Sequence, residues 1–127
     1  MRADMAIIMD FDQIIVAHSN WKKRFVAHLE GKEKLVADVV AKDNVCDFGK
    51  WLYGEGRAHA NRAEYLAARD AHAAFHKTAA TALSQAAGVL SKDEALALVG
   101  LRSDYSRASA NCIAALTALR DSVNGRA

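Results

Sequence analysis

Not one of the chain's 127 residues is proline. Proline removes a backbone donor and clashes with the preceding turn, so its absence leaves helices free to run uninterrupted. The residues present favour the same outcome, because alanine, leucine, lysine and glutamate recur along the whole length and all are good helix formers. Apolar residues make up 52% of the chain. They fall three and four positions apart, and no alternating strand pattern competes. A single domain, 1–127, is expected, large enough to bury a core without a disulfide staple.

The periodic stretches set out the helices. Asp10-Phe11-Asp12-Gln13 reads as a cap, followed by Phe11, Ile14, Ile15, His18, Trp21, Phe25 and Leu29 on one stripe that ends near Gly31. Lys32 to Lys42, with Leu35, Val36, Val39 and Val40, is a short helix or helical connector. Asp43 or Asn44 can cap a short helix holding Cys46, Phe48, Trp51 and Leu52, which stops at Gly54 or Gly56. The longest pattern runs from about Arg57 to Gly88 through Tyr65, Leu66, Ala68, His72, Phe75, His76, Ala79 and Leu83. Ser91-Lys92-Asp93-Glu94 is a capping box opening a last helix with Leu98, Leu101, Tyr105, Ala108, Cys112, Leu116, Leu119 and Val123 on one face. The expected fold is all-α, an antiparallel four-helix bundle with an additional short helix carrying Cys46.

Charge and hydropathy narrow the partners. A net charge of +2 is too small to imply a nucleic-acid or membrane surface, and Trp21-Lys22-Lys23-Arg24 reads as a solvated helix face. No apolar stretch reaches the roughly 20 residues that span a bilayer. The start, MRADMAIIMDFDQ, carries acidic residues where a signal peptide needs a longer apolar core. A cytoplasmic location is therefore expected, where two cysteines are free thiols, metal ligands or redox sensors.

His72 and His76 stand four residues apart with no helix breaker between them. That spacing places both imidazoles about 40° apart around one axis, on one face. Such a pair is the usual way for one helix to present two metal ligands, but taken alone it is a weak signal, and two half-buried histidines bracketing Phe75 are the more ordinary outcome. His18 shares the apolar stripe of the first helix, where a satisfied core histidine is the ordinary outcome, and Cys46 alone is ordinarily a small buried hydrophobe. Together, three inward imidazoles and a thiol from three helices make a tetrahedral N₃S set of the kind zinc favours. Buried without partners, the four groups would be costly; around a Zn²⁺ ion they are satisfied, with no open position for a water.

His59 and His28 are expected to face solvent, since helical geometry turns them away from His72 and His18. Cys112 belongs to the core stripe of the last helix. Asp47 and Asp70 lie near the candidate ligands and are solvated charges or orienting groups for an imidazole, while Trp21 and Trp51 pack beside the site. No Glu-x-x-His pair, H-E-x-x-H motif or glycine-rich phosphate loop occurs.

In order along the chain, His18-Ser19-Asn20-Trp21-Lys22, Cys46-Asp47-Phe48-Gly49-Lys50-Trp51-Leu52 and His72-Ala73-Ala74-Phe75-His76 resemble the chemoreceptor zinc-binding domain. The likeness covers nearly the whole chain, from about Ile14 to at least Leu119. It implies Zn²⁺ held by His18, Cys46, His72 and His76 in a four-helix bundle. It also implies a regulatory role: members of that family are attached to chemoreceptors and diguanylate cyclases, sense zinc or oxidants such as hypochlorous acid, and in some cases pair as homodimers. The 127 residues carry no methyl-accepting or GGDEF-like output segment, which leaves a free-standing protein or an excised domain as the two readings.

A non-enzymatic zinc or oxidant sensor is thus the leading expectation. Two others come from different classes: a thiol enzyme with Cys46 as nucleophile and a histidine base, for which no oxyanion loop is visible, and a plain helical interaction module.

Overall fold

Helices form all the regular structure in the described residues, 9–87 and 90–125 of the computed structural model. The stretch 1–8 and Gly88, the expected end of the longest helix, lie outside them. Helix α1 (Phe11–Ser19) starts where Asp10 accepts the Gln13 N–H at 3.0 Å, as the capping pattern predicts. It stops sooner than expected. The Ser19 hydroxyl donates to the Ile15 carbonyl at 2.8 Å, a back-bond that bends helices, and Asn20 leaves the helical region at ψ 3°. The single helix expected up to Gly31 is therefore two, with α2 (Trp21–Leu29) following the break. Gly31 closes α2 with a positive φ of 77°, which only glycine adopts without strain.

Helix α3 (Ala37–Val40) is the short connector, and α4 (Asp47–Tyr53) carries the cysteine element. Its cap is Cys46 itself, not Asp43 or Asn44: the Cys46 sulfur accepts the Gly49 N–H at 3.4 Å. Asp43 is occupied elsewhere, its carboxylate taking the Tyr53 hydroxyl and its carbonyl lying against Gly49. A Cβ on Gly49 would stand 1.9 Å from that carbonyl oxygen, so the glycine is there for close packing. After Gly54 the chain makes a 3₁₀ turn, Glu55–His59, in which the Gly56 backbone lies on the Trp51 indole. Helix α5 (Ala63–Ala86) consequently begins at Ala63 and not near Arg57.

The Ser91–Glu94 capping box forms as expected, but it opens only the short helix α6 (Lys92–Ala97). Ser103 then caps a separate helix, α7 (Asp104–Val123), by accepting the Ser106 N–H at 3.0 Å. Two competing caps within one apolar pattern split the expected last helix. Leu101, assigned to its buried face, falls in the intervening turn and is 91% exposed.

The four longest helices, α1, α2, α5 and α7, make the bundle, and α4 closes one side of it. Helix α7 runs antiparallel to its neighbours: Arg62, just before α5, donates to Ser122 near the end of α7, and Arg120 of α7 pairs with Asp12 at the start of α1. The core is Phe25, Phe48, Phe75, Leu52, Cys112, Leu116 and Leu119, all with almost no exposure. Each large side chain there contributes roughly 1.5–3 kcal/mol. Cys112 is packing, as its stripe predicts. No helix among the described residues is long and apolar enough to cross a membrane.

Gly49→Ala should destabilise the chain by about 1–3 kcal/mol, because the Asp43 backbone has to move to admit a methyl group. Gly100→Ala, whose Cβ meets only ordinary contacts from 3.4 Å outward, should hold or gain up to about 1 kcal/mol. Urea unfolding of both variants compares them directly, and an unaffected Gly49→Ala protein would contradict this account of α4.

Candidate metal centre

His18 lies in the last turn of α1, turned inward by the apolar stripe it shares with Phe11 and Ile14. Its Nδ1 is 2.8 Å from the Ile14 carbonyl oxygen. A carbonyl only accepts, so this assigns the proton to Nδ1 and leaves a lone pair on Nε2. His76 is held the same way across a helix boundary. Its Nδ1 donates to the Val40 carbonyl at the end of α3, at 2.9 Å, and its Nε2 is again the free lone pair.

His72, one turn before His76 on α5, is fully buried. Its ring meets Phe48 edge-on at 4.8 Å and His76 at 4.4 Å between ring centres. The Nδ1 of His72 has no hydrogen-bond partner. Cys46 arrives from the opposite side as the cap of α4, with Sγ 3.2 Å from His72 Nε2 and 3.6 Å from His76 Nε2.

The structure brings all four expected residues together. One ligating atom each from His18, Cys46, His72 and His76 lies within 4.8 Å of the other three. Around a tetrahedral zinc, with Zn–N about 2.0 Å and Zn–S about 2.3 Å, ligand atoms stand roughly 3.3–3.6 Å apart. The separations among His72, His76 and Cys46 are 3.0, 3.2 and 3.6 Å, the first two up to about 0.3 Å tighter than that spacing and the third at its upper end.

Electrostatics point the same way. Burial lowers the pKa of all three imidazoles below the ordinary 6.5, His72 to about 2 with His76 and His18 adding to the effect. Burial raises the Cys46 thiol above its ordinary 9.0, against the opposing Gly49 N–H. Without an ion, then, the group is neutral near pH 7, and two nitrogen lone pairs converge on a space that offers at most the proton of His72 Nε2 or of the thiol. A single cation engages three imidazole lone pairs and a thiolate at once, so the donor set fits a metal ion.

Asp47 is exposed and Asp70 pairs with Arg69, the solvated charges expected of both by default, and neither orients an imidazole. That role falls to the Ile14 and Val40 carbonyls, which no side-chain motif announces. His28 is half-buried, not solvated, because its Nδ1 accepts the Leu35 N–H at 3.0 Å. His59 is also half-buried: the 3₁₀ turn takes it off α5 and stacks it on Trp51, 6.0 Å between ring centres. Trp21 packs on Phe75 and Tyr105 beside the group, whereas Trp51 reaches it only through Phe48.

Comparison with known proteins agrees with this geometry. A family model described as the chemoreceptor zinc-binding domain matches residues 18–83, just over half of the chain, and spans all four residues of the group. A search of the curated proteins found no match, and a search of the solved structures found none either. The motifs read from the sequence, the inward convergence of their side chains and the family model coincide, and the chain belongs to the chemoreceptor zinc-binding domain family.

Proposed function

We propose that the chain is a zinc-binding sensory module in which His18, Cys46, His72 and His76 hold one Zn²⁺ ion. The observation that carries this reading is the fixed outward orientation of the His18 and His76 Nδ1 protons, which aims both Nε2 lone pairs at Cys46 and His72. The N₃S donor set suits zinc. Four protein ligands leave no position for a water, which favours a regulatory over a hydrolytic role. When bound, the ion supplies the charge that keeps Cys46 a thiolate at neutral pH.

The chain's own residues then link the site to the fold. Cys46 caps α4, so whatever holds its sulfur also holds the start of a seven-residue helix. A helix that short is marginal without tertiary anchors; its others are Phe48, Leu52 and the Tyr65 hydroxyl on the Leu52 carbonyl. Losing zinc, or oxidising Cys46, loosens α4 and the segment before it. Toward hypochlorous acid the Cys46 thiolate is oxidised by two electrons to a sulfenic acid as the oxidant is reduced to chloride, RS⁻ + HOCl → RSOH + Cl⁻, and the product is a weaker ligand. The module acts as one unit over 1–127, since Tyr105 and Cys112 of α7 complete the core beside the group. It works in the cytoplasm, without catalytic turnover, as a homodimer whose state is read by a signalling partner such as a chemoreceptor or diguanylate cyclase.

Elemental analysis of the natively purified protein should give about one zinc per chain. His76→Ala and Cys46→Ala should lose most of it while keeping their helical circular dichroism. Stoichiometric zinc retained in His76→Ala would count against the ligand set. Chelation should also speed amide exchange across residues 43 to 56 relative to α7.

Two pH effects follow from the neutral site. Near pH 7 the imidazoles carry no extra proton and the thiol does carry one, so zinc binding should release about one proton per chain. Calorimetric titrations in buffers of different ionisation enthalpy measure it, and a release near zero would remove Cys46 from the ligands. In the metal-free chain, folding depresses the three histidine pKa values, so the unfolded state binds more protons from about pH 6.5 downward. Their stabilisation is complete above that pH and declines toward the folded values, about 2 for His72. Thermal melts in chelator should therefore fall between pH 7 and pH 5.

A further inference from the structure

A cavity of about 390 Å³ opens beside the histidine–cysteine group, sharing His18, Cys46 and His76 with it and extending beyond them between apolar walls that take no part in zinc binding. Its floor is formed by Phe75, His18, Cys46 and His76. Trp21 and Ala17 make one wall, and the segment around α3 makes the other. On that second wall Val36, Val39 and Val45 are 48%, 51% and 44% exposed. Scattered apolar side chains on a surface need no explanation, but three lining one concavity form a patch that marks a binding surface. The volume falls within the roughly 300–1,000 Å³ of small-molecule sites, and the apolar walls with few polar groups match their composition.

The charged groups select the ligand. Among the described residues, the only ionised side chains lining the cavity are Arg24 and Lys34, both cations, and no carboxylate lines it. Arg24 is committed to Glu33, its Nε donating at 2.8 Å. Lys34 is exposed and pairs with no carboxylate among the described residues. Trp21 and Val39 offer apolar surface to the body of a ligand, and Lys34 offers a positive charge to an anionic head.

We propose that this cavity binds a small amphiphilic anion, a free carboxylate with an apolar chain or ring. The floor shares His18, Cys46 and His76 with the proposed metal centre, so the assignment rests in part on the zinc reading, whereas Trp21, Lys34, Val36 and Val39 belong to the cavity alone. Octanoate is the probe, with octanol as its uncharged counterpart, titrated calorimetrically into the full chain. Zinc is measured in the same sample by elemental analysis, so loss of metal and loss of anion binding are read separately.

One octanoate should bind saturably per chain, and octanol about fivefold more weakly, the scale of a single solvent-exposed charge pair. Lys34→Glu should weaken octanoate by at least that factor and leave octanol unchanged. Val39→Trp, at a half-exposed position that tolerates a larger side chain, should abolish binding of both by filling the space. The proposal is overturned if octanoate does not saturate, if octanol or Lys34→Glu shows equal affinity, or if Val39→Trp binds as the native chain does.

Discussion

The Nδ1 proton of His76 goes to the carbonyl of Val40, and two otherwise separate parts of the molecule depend on that bond. One is the imidazole, which cannot turn its other nitrogen away from Cys46 without breaking it. The other is α3, a single helical turn of four residues with no buried side chain of its own. Such a turn does not persist in water by propensity alone. Its partner anchor is the Leu35 N–H on His28 Nδ1, beside the buried Leu35 side chain. The segment 35–40 is therefore pinned at both ends by imidazoles, one belonging to the candidate metal centre and one lying outside it. A histidine that orients a ligand atom here also fixes backbone, and disturbance of one is felt by the other.

The surroundings of the site are apolar on the bundle side and that choice has an energetic sign. Phe48, Phe75 and the buried Ile14 turn exclude water from imidazoles that would otherwise be solvated. Exclusion raises the cost of leaving their lone pairs unmatched and so raises the advantage of a cation that matches them. Part of this wall comes from beyond the residues of the family match: Tyr105 of α7 packs on both Trp21 and Phe75. The last helix is thus part of the environment of the centre although it offers no ligand to it.

The helical class and the inward histidines were legible in the sequence because both rest on periodicity, whereas Cys46, a cap outside any stripe, was legible through the motif that carries the family resemblance. Spacing of four residues puts His72 and His76 on one face of any helix, and a shared apolar stripe turns His18 inward whatever the exact bend after it. Boundaries were less legible where two local signals competed. Ser19 and Asn20 outweigh continuity at the α1–α2 break, and Ser103 restarts a helix that the stripe through Leu101 would have continued. Backbone partners were not legible at all. The Ile14 and Val40 carbonyls act through position, not through side-chain identity, and the nearby carboxylates Asp47 and Asp70 are the solvated charges that the sequence favours. His59 was misplaced for a related reason: its direction was reckoned on a helix that the contact between Gly56 and Trp51 interrupts.

That contact has a spectroscopic consequence. The chain has two tryptophans, and they flank the histidine–cysteine group from different directions. Trp21 is buried against Phe75 and Tyr105, on the side of the long helices. Trp51 is only half-buried, clasped by Phe11, Phe48, His59 and the bare backbone of Gly56. Indole emission follows the polarity around the ring, so a displacement of α4 changes the light from Trp51 and leaves that of Trp21 nearly as it was. The molecule carries its own pair of fluorophores, one travelling with the cysteine helix and one standing as the reference.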